Sequence, residues 1–224
     1  MKDSSDNLIF SDFKFKSNKL EHYLDKVLKL ESVSCKDWLT NKVDRCVTGK
    51  VALQQCTGPY QLPLNNCGVM ALDYESNFGI ATSIGHSPTT ALINSSAGSR
   101  NSIGEALTNI IWAPLKNGIK SVSLSANWMW PCNNPGEDTR LYEAVEECSK
   151  FAIDLGINIP TGKDSLSMKQ KYSNYDVLSP GTVIISAAGQ CSNVKNIIKP
   201  IATAKVGEIL YFDFTQDEFY LGVN

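Results

Sequence analysis

Histidine is nearly absent from this sequence, with His22 and His86 the only two in 224 residues. That scarcity leaves few neutral-pH bases for a nucleophile-and-base catalytic set. Neither sign of charge dominates, since 21 basic residues face 23 acidic ones for a net charge of −2. The balance lacks the basic footprint of a nucleic-acid or anionic-membrane binder. Long apolar runs are missing too, none approaching the roughly 20 residues that a membrane helix requires. The opening "MKDSSDNLIF" is too charged for a secretory signal. These absences lead us to expect a cytoplasmic protein with no nucleic-acid or membrane partner. Cysteine is present seven times, at 35, 46, 56, 67, 132, 148 and 191, but without a C-x-x-C pair, so reduced thiols are expected rather than a zinc or disulfide framework. No cysteine lies in a G-x-C-x-G elbow.

What is present is enough apolar material, 42% of the chain, to build a sizeable core. Strand-like and helix-like patterns alternate: "CGVMALD" and "GIATSIG" read as strands, "SIGEALTNIIW" as a helix and "SVSLSAN" as a strand. A helix beginning near Asp138 or Thr139 carries Leu141, Val145, Cys148, Ala152 and Leu155 on one side and stops at Gly156. "INIPTG" and "GTVIISAAG" read as further strands, and "EILYFDF" after Pro200 as another. The pattern predicts an α/β (α+β) fold with a mixed sheet. Near the start, "NKLEHYLDKVLKL" places Leu20, Tyr23, Leu24, Val27 and Leu28 on one helical face, as expected of a connector that packs on its neighbour.

The stretch most suggestive of chemistry is "SIGEALTN", residues 102–109. At about 100° per residue, Leu107, Ile110 and Ile111 cluster within about 80° of Ile103, whereas Glu105 and Asn109 share the opposite side. Ser102 and Glu105 fit a capping box, which explains the glutamate alone. A carboxylate and a carboxamide oxygen one turn apart also suit Mg²⁺, a hard cation commonly held by few protein groups, waters and substrate phosphates. Both readings stay open at this point. "IPTGKDSLSM" fails as a phosphate loop, because Ile157 and Asp164 occupy positions that need glycine and Ser or Thr. Its Lys163, Asp164, Ser165 and Ser167 form a possible substrate loop at a strand end, or an ordinary solvated turn. "NWMWPCNNPGEDTRLY" reads as an aromatic anchor followed by a helix cap at Asp138.

Taken together, "LTNKVDRCVTGKVALQQCTGPYQLPL", "ATSIGHSP", "GEALTNIIWAPL", "SLSANWMWP", "PGEDTRLY" and "IPTGKDSLSM" resemble the large form of phosphoribosylformylglycinamidine synthase, from about Val33 onward. That family converts formylglycinamide ribonucleotide to formylglycinamidine ribonucleotide in purine synthesis, using ATP and ammonia from glutamine. The resemblance implies the second of two related synthetase halves, with the N-terminal domain fold of aminoimidazole ribonucleotide synthetase. It implies an auxiliary, structural ATP/ADP and Mg²⁺ site, with the family's nucleotide-contacting lysine matching Lys36 and its helix-borne metal ligands matching Glu105 and Asn109. Asn66 stands where many relatives have a further metal-binding aspartate, an exchange that keeps an oxygen donor and removes a negative charge. By resemblance, then, Lys36, Asn66 and Glu105 face the nucleotide, and Glu105, Asn109 and Asn66 the metal.

The expected organisation is a connector over 1–40, a synthetase domain over 41–200 and the start of a following subdomain over 201–224. A fragment is expected, inactive alone, whose partners are the remaining synthetase and glutaminase domains. It is also expected to pair with a second copy of itself through sheet surfaces near Gly68 to Leu72. The alternative is a non-catalytic scaffold with a vestigial nucleotide pocket.

Overall fold

The computed structural model describes residues 14–30, 33–35, 49–56, 65, 67–200 and 207–212. Strand β3 (Gly79–His86) shows why a sheet forms: its "GIATSIGH" alternates small or apolar residues that are buried with neighbours that are exposed, the period-two pattern of a strand with one covered face. Around it lie β1 (Val51–Leu53), β2 (Gly68–Ala71), β4 (Ser123–Met129), β5 (Asn158–Ser165) and, after the small hairpin of β6 (Lys169–Lys171) and β7 (Asp176–Leu178), the long β8 (Thr182–Cys191). Their order across the sheet is β1-β2-β3-β8-β4-β5. All neighbours are antiparallel except β4 and β5. The expected mixed sheet is therefore present and mostly antiparallel.

Helices α2 (Pro88–Ile93) and α3 (Ser95–Ile110) connect β3 to β4, α4 (Glu137–Leu155) connects β4 to β5, and α1 (Leu20–Leu28) precedes the sheet. The core joins Ile103, Ala106, Leu107 and Ile110 of α3 and Cys148 and Ala152 of α4 to Leu124, Val183, Ile185 and Ala187 of the strands. Burying such side chains contributes roughly 1.5–3 kcal/mol each for the larger ones. Helix α4 begins after Gly136 at φ 84, carries Glu137 and Asp138 in its first turn, and ends at Gly156 at φ 67. Acidic residues there complement the positive end of the helix dipole, and the left-handed glycine closes the last turn.

Several expectations need correcting. The "SIGEALTN" helix starts earlier, at Ser95, where the Asn94 side chain accepts a bond of 2.7 Å from the Ala97 N–H. Ser102 is thus mid-helix and donates to the Gly98 carbonyl at 2.9 Å, so the capping box is not formed. Ile111 falls at the end of α3 and is exposed, as is Val145 on α4, where Ala144 is buried in its place. The cap of α4 is Gly136, not Asp138. Helix α1 does form, but its apolar face packs on no core: none of its residues is buried, and Leu20, Leu24, Val27 and Leu28 are all exposed. Residues 207–212, expected to begin a strand, form none. Of the aromatic anchor, Trp130 is buried, its ring packed where any side chain at Gly181 would overlap it.

Candidate nucleotide and metal site

Strand β3 and helix α3 meet at Gly85, where an added methyl would overlap the Ser102 carbonyl oxygen and the Ala106 nitrogen. Glycine is what lets the two backbones touch. Beside it the Ser83 hydroxyl donates to the Ala106 carbonyl at 2.6 Å. The small, buried Ser99, Ser102 and Ala106 on the helix make the same close approach possible from the other side.

At this seam stand Glu105 and Asn109, half-buried and one turn apart on α3, on a common side as the spacing predicted. Both reach the backbone of β3: the His86 N–H donates to Glu105 Oε2 at 2.6 Å, and Asn109 Nδ2 donates to the Ile84 carbonyl at 3.0 Å. Those two backbone groups lie beyond Gly68↔Thr82, where the pairing of β2 with β3 ends. The helix side chains satisfy polar groups that the shorter strand leaves over. This double contact was not foreseen; the signal available was the Gly85 and Ser102 pair of small residues.

An open cavity of about 750 Å³ lies over the uncovered face of the sheet, lined among others by Gly68, Thr82, Ile84, Ser125, Thr161 and Ser186. Asn65 and Cys67, which flank position 66, line it too. Asn66 itself and Lys36 fall outside the described residues. Among the described residues no three His, Cys, Asp or Glu side chains gather as a metal cluster. Glu105 and Asn109 nonetheless supply two hard oxygen donors of the kind Mg²⁺ takes, so the pair fits that ion in chemistry.

Lys163, Asp164 and Ser165 are placed differently from the loop expected of them. They are the last three residues of β5, with Lys163 Nζ donating to the Ser165 hydroxyl at 3.1 Å. Lys163 pairs with Asn127, Asn127 with Ile184 and Ile184 with His86, so it stands in the row of His86 but three strands away. At strand spacing that is about 14 Å, too far to share a small ligand atom with Glu105. Four of the described thiols are moved away from activation: burial raises Cys67, Cys132 and Cys191, and pushes Cys148 up to about 11.

Residues 35–190 match the model of the FGAR-AT PurM_N-like domain. The chain belongs to this family. As a member of the FGAR-AT PurM_N-like family it is 42% identical over 196 residues to a probable phosphoribosylformylglycinamidine synthase of Caenorhabditis elegans, a match covering 87% of this chain and 15% of the relative. It is 38% identical over 201 residues to the human phosphoribosylformylglycinamidine synthase, covering 89% of this chain and 15% of the relative. The chain thus spans about 15% of the length of these curated relatives. Among solved structures, Thermotoga maritima PurL complexed with ATP is similar over 68% of this chain and 23% of its own, at 15% identity and a TM-score of 0.49. So distant a likeness bears on neither residue roles nor function. Among the described residues no helix is long and apolar enough to cross a membrane.

Proposed function

We propose that the chain is a part of a cytoplasmic phosphoribosylformylglycinamidine synthase and holds an auxiliary Mg²⁺-nucleotide site in that enzyme. The observation that carries the site is that Glu105 and Asn109 stand one turn apart on α3, each with one polar atom bonded to the backbone of β3. The names of the relatives support the enzyme; Lys36 as a phosphate partner and Asn66 as a third oxygen donor rest on the motif resemblance alone.

In this reading Glu105 contributes charge, Asn109 a neutral oxygen, and Lys36 a cation for the phosphates. Bound there, Mg²⁺ would offset phosphate charge and fix the nucleotide in place. Residues 1–40 serve as a connector, 41–200 as the domain that carries the site and 201–224 as the start of a further subdomain. The glutaminase and the other synthetase half, which the reaction requires, are the natural partners. When those partners are not bound, a second copy of the chain pairs with the open sheet face, where Met70, Ile80 and Ile84 are exposed. Lys163, Asp164 and Ser165, at the far side of that face, are assigned to substrate or partner contacts rather than to the metal.

Titration calorimetry of the chain with Mg²⁺ and ATP tests the site. The wild type should release heat on binding, and Glu105→Gln should bind more weakly with little change in melting temperature, since a glutamine oxygen still accepts from the His86 N–H. Absence of any binding by the wild type would favour the second reading, a scaffold with a vestigial pocket. That reading draws on Asn66, an amide where many relatives are expected to carry an aspartate.

A further inference from the structure

We propose that the backbone of β3 orients the two candidate ligands, so that Ile84 and His86, brought within reach by Gly85, act as positioning residues for the cation. The inference rests on the site reading above and adds to it a cause for the direction in which each donor points. A carbonyl oxygen only accepts, so the Ile84 carbonyl must face the nitrogen of the Asn109 amide. Asn109 Oδ1 is then turned away from the strand and presented as a ligand. The His86 N–H holds Oε2 of Glu105 and leaves Oε1 for a second partner. Both side chains keep one atom on the strand and offer the other, as outer partners do when they fix ligands around a metal.

Three features make the arrangement specific to this seam. Pairing of β2 with β3 ends at Gly68↔Thr82, so Ile84 and His86 still have main-chain groups to offer. Gly85 lies between them and admits the helix to contact distance. The Ser83 hydroxyl on the Ala106 carbonyl fixes the helix along its own axis, and with it the height of Glu105 and Asn109 above the strand.

Charge alone and orientation make opposite predictions for Asn109→Asp. An added carboxylate strengthens attraction for a divalent cation, but it has no donor for the Ile84 carbonyl and turns two acceptors toward each other. Manganese binding, followed by electron paramagnetic resonance on the full chain with ATP present, separates the two. Orientation predicts that Asn109→Asp binds Mn²⁺ about tenfold or more weakly than the wild type, the lower end of the loss seen when an outer partner is removed. His86→Pro, which removes the N–H together with the imidazole and fixes φ, should weaken it too, with His86→Ala, which keeps the N–H, as the control for the lost side chain. A third measurement needs no variant: the His86 amide resonance of the wild type should keep its carboxylate-bonded position on saturation with Mg²⁺.

Equal or tighter Mn²⁺ binding by Asn109→Asp, or movement of the His86 amide to a free position when Mg²⁺ binds, overturns the positioning role while leaving the metal site standing. Failure of the wild type to bind Mn²⁺ overturns the site reading, and this inference with it.

Discussion

Gly85 and Ala106 touch through their backbones, with no room for even a methyl group between β3 and α3. That contact sets the height of the helix over the sheet, and through it the position of Glu105 and Asn109. Gly85→Ala should therefore destabilise the chain by about 1–3 kcal/mol, the usual cost of overpacking. Gly104, in the same helix, has open space where its side chain would be. Gly104→Ala should stabilise by about 0.5–1 kcal/mol, because alanine loses less backbone freedom in a helix. Urea unfolding of the three proteins checks both signs; two shifts in the same direction would contradict the packing described.

Alkaline pH should weaken the fold through Cys148. Burial raises its thiol to about 11 from an ordinary 9.0, so the unfolded chain gives up this proton first. Its contribution is complete below about pH 9 and is lost as pH climbs through 11. Melting temperature should fall more steeply over that window in the wild type than in Cys148→Ala, which starts lower because of the cavity it leaves. At the acid end the sign reverses for Asp73, whose carboxyl is held low by the Ser76 N–H and hydroxyl and by the Glu75 N–H. Its help is present above the ordinary carboxylate value and disappears as pH falls through the lowered one.

The open face of the sheet should pair two copies of the chain. Met70 lies directly across from Ile80 between β2 and β3, and both are exposed. Sedimentation velocity at micromolar concentration should show a dimer, and the double variant Met70→Glu, Ile80→Glu should sediment as a monomer with an unchanged melting curve. A wild type that stays near 25 kDa at every concentration would rule out this association.

Synthase turnover by the chain alone is expected to be absent. It spans about 15% of the length of its relatives, and the raised thiols of Cys67 and Cys148 are poor nucleophiles. Formylglycinamide ribonucleotide, ATP and either glutamine or ammonium, incubated with pure chain, should yield no product above a buffer blank. Product above that blank would refute the assignment of catalysis to other parts.

Local sequence was enough for those features that depend on near neighbours. The alternation in "GIATSIGH" is a property of a strand with one covered face, and Gly156 ends α4 because only a residue tolerant of φ 67 fits there. The common side of Glu105 and Asn109 follows from helical geometry alone. Tertiary contact decided the rest. Ser102 reads as a cap residue in the sequence, yet it is buried because its small size lets α3 approach β3. The partners of Glu105 and Asn109 are main-chain groups of a strand 19 and 25 residues away, exposed to the helix only because β2 stops short. Lys163 likewise reads as part of a loop near the chemistry until sheet order places β8 and β4 between it and His86. A one-dimensional pattern carries period and size, whereas strand order and strand length relative to a partner are settled only when distant segments pack.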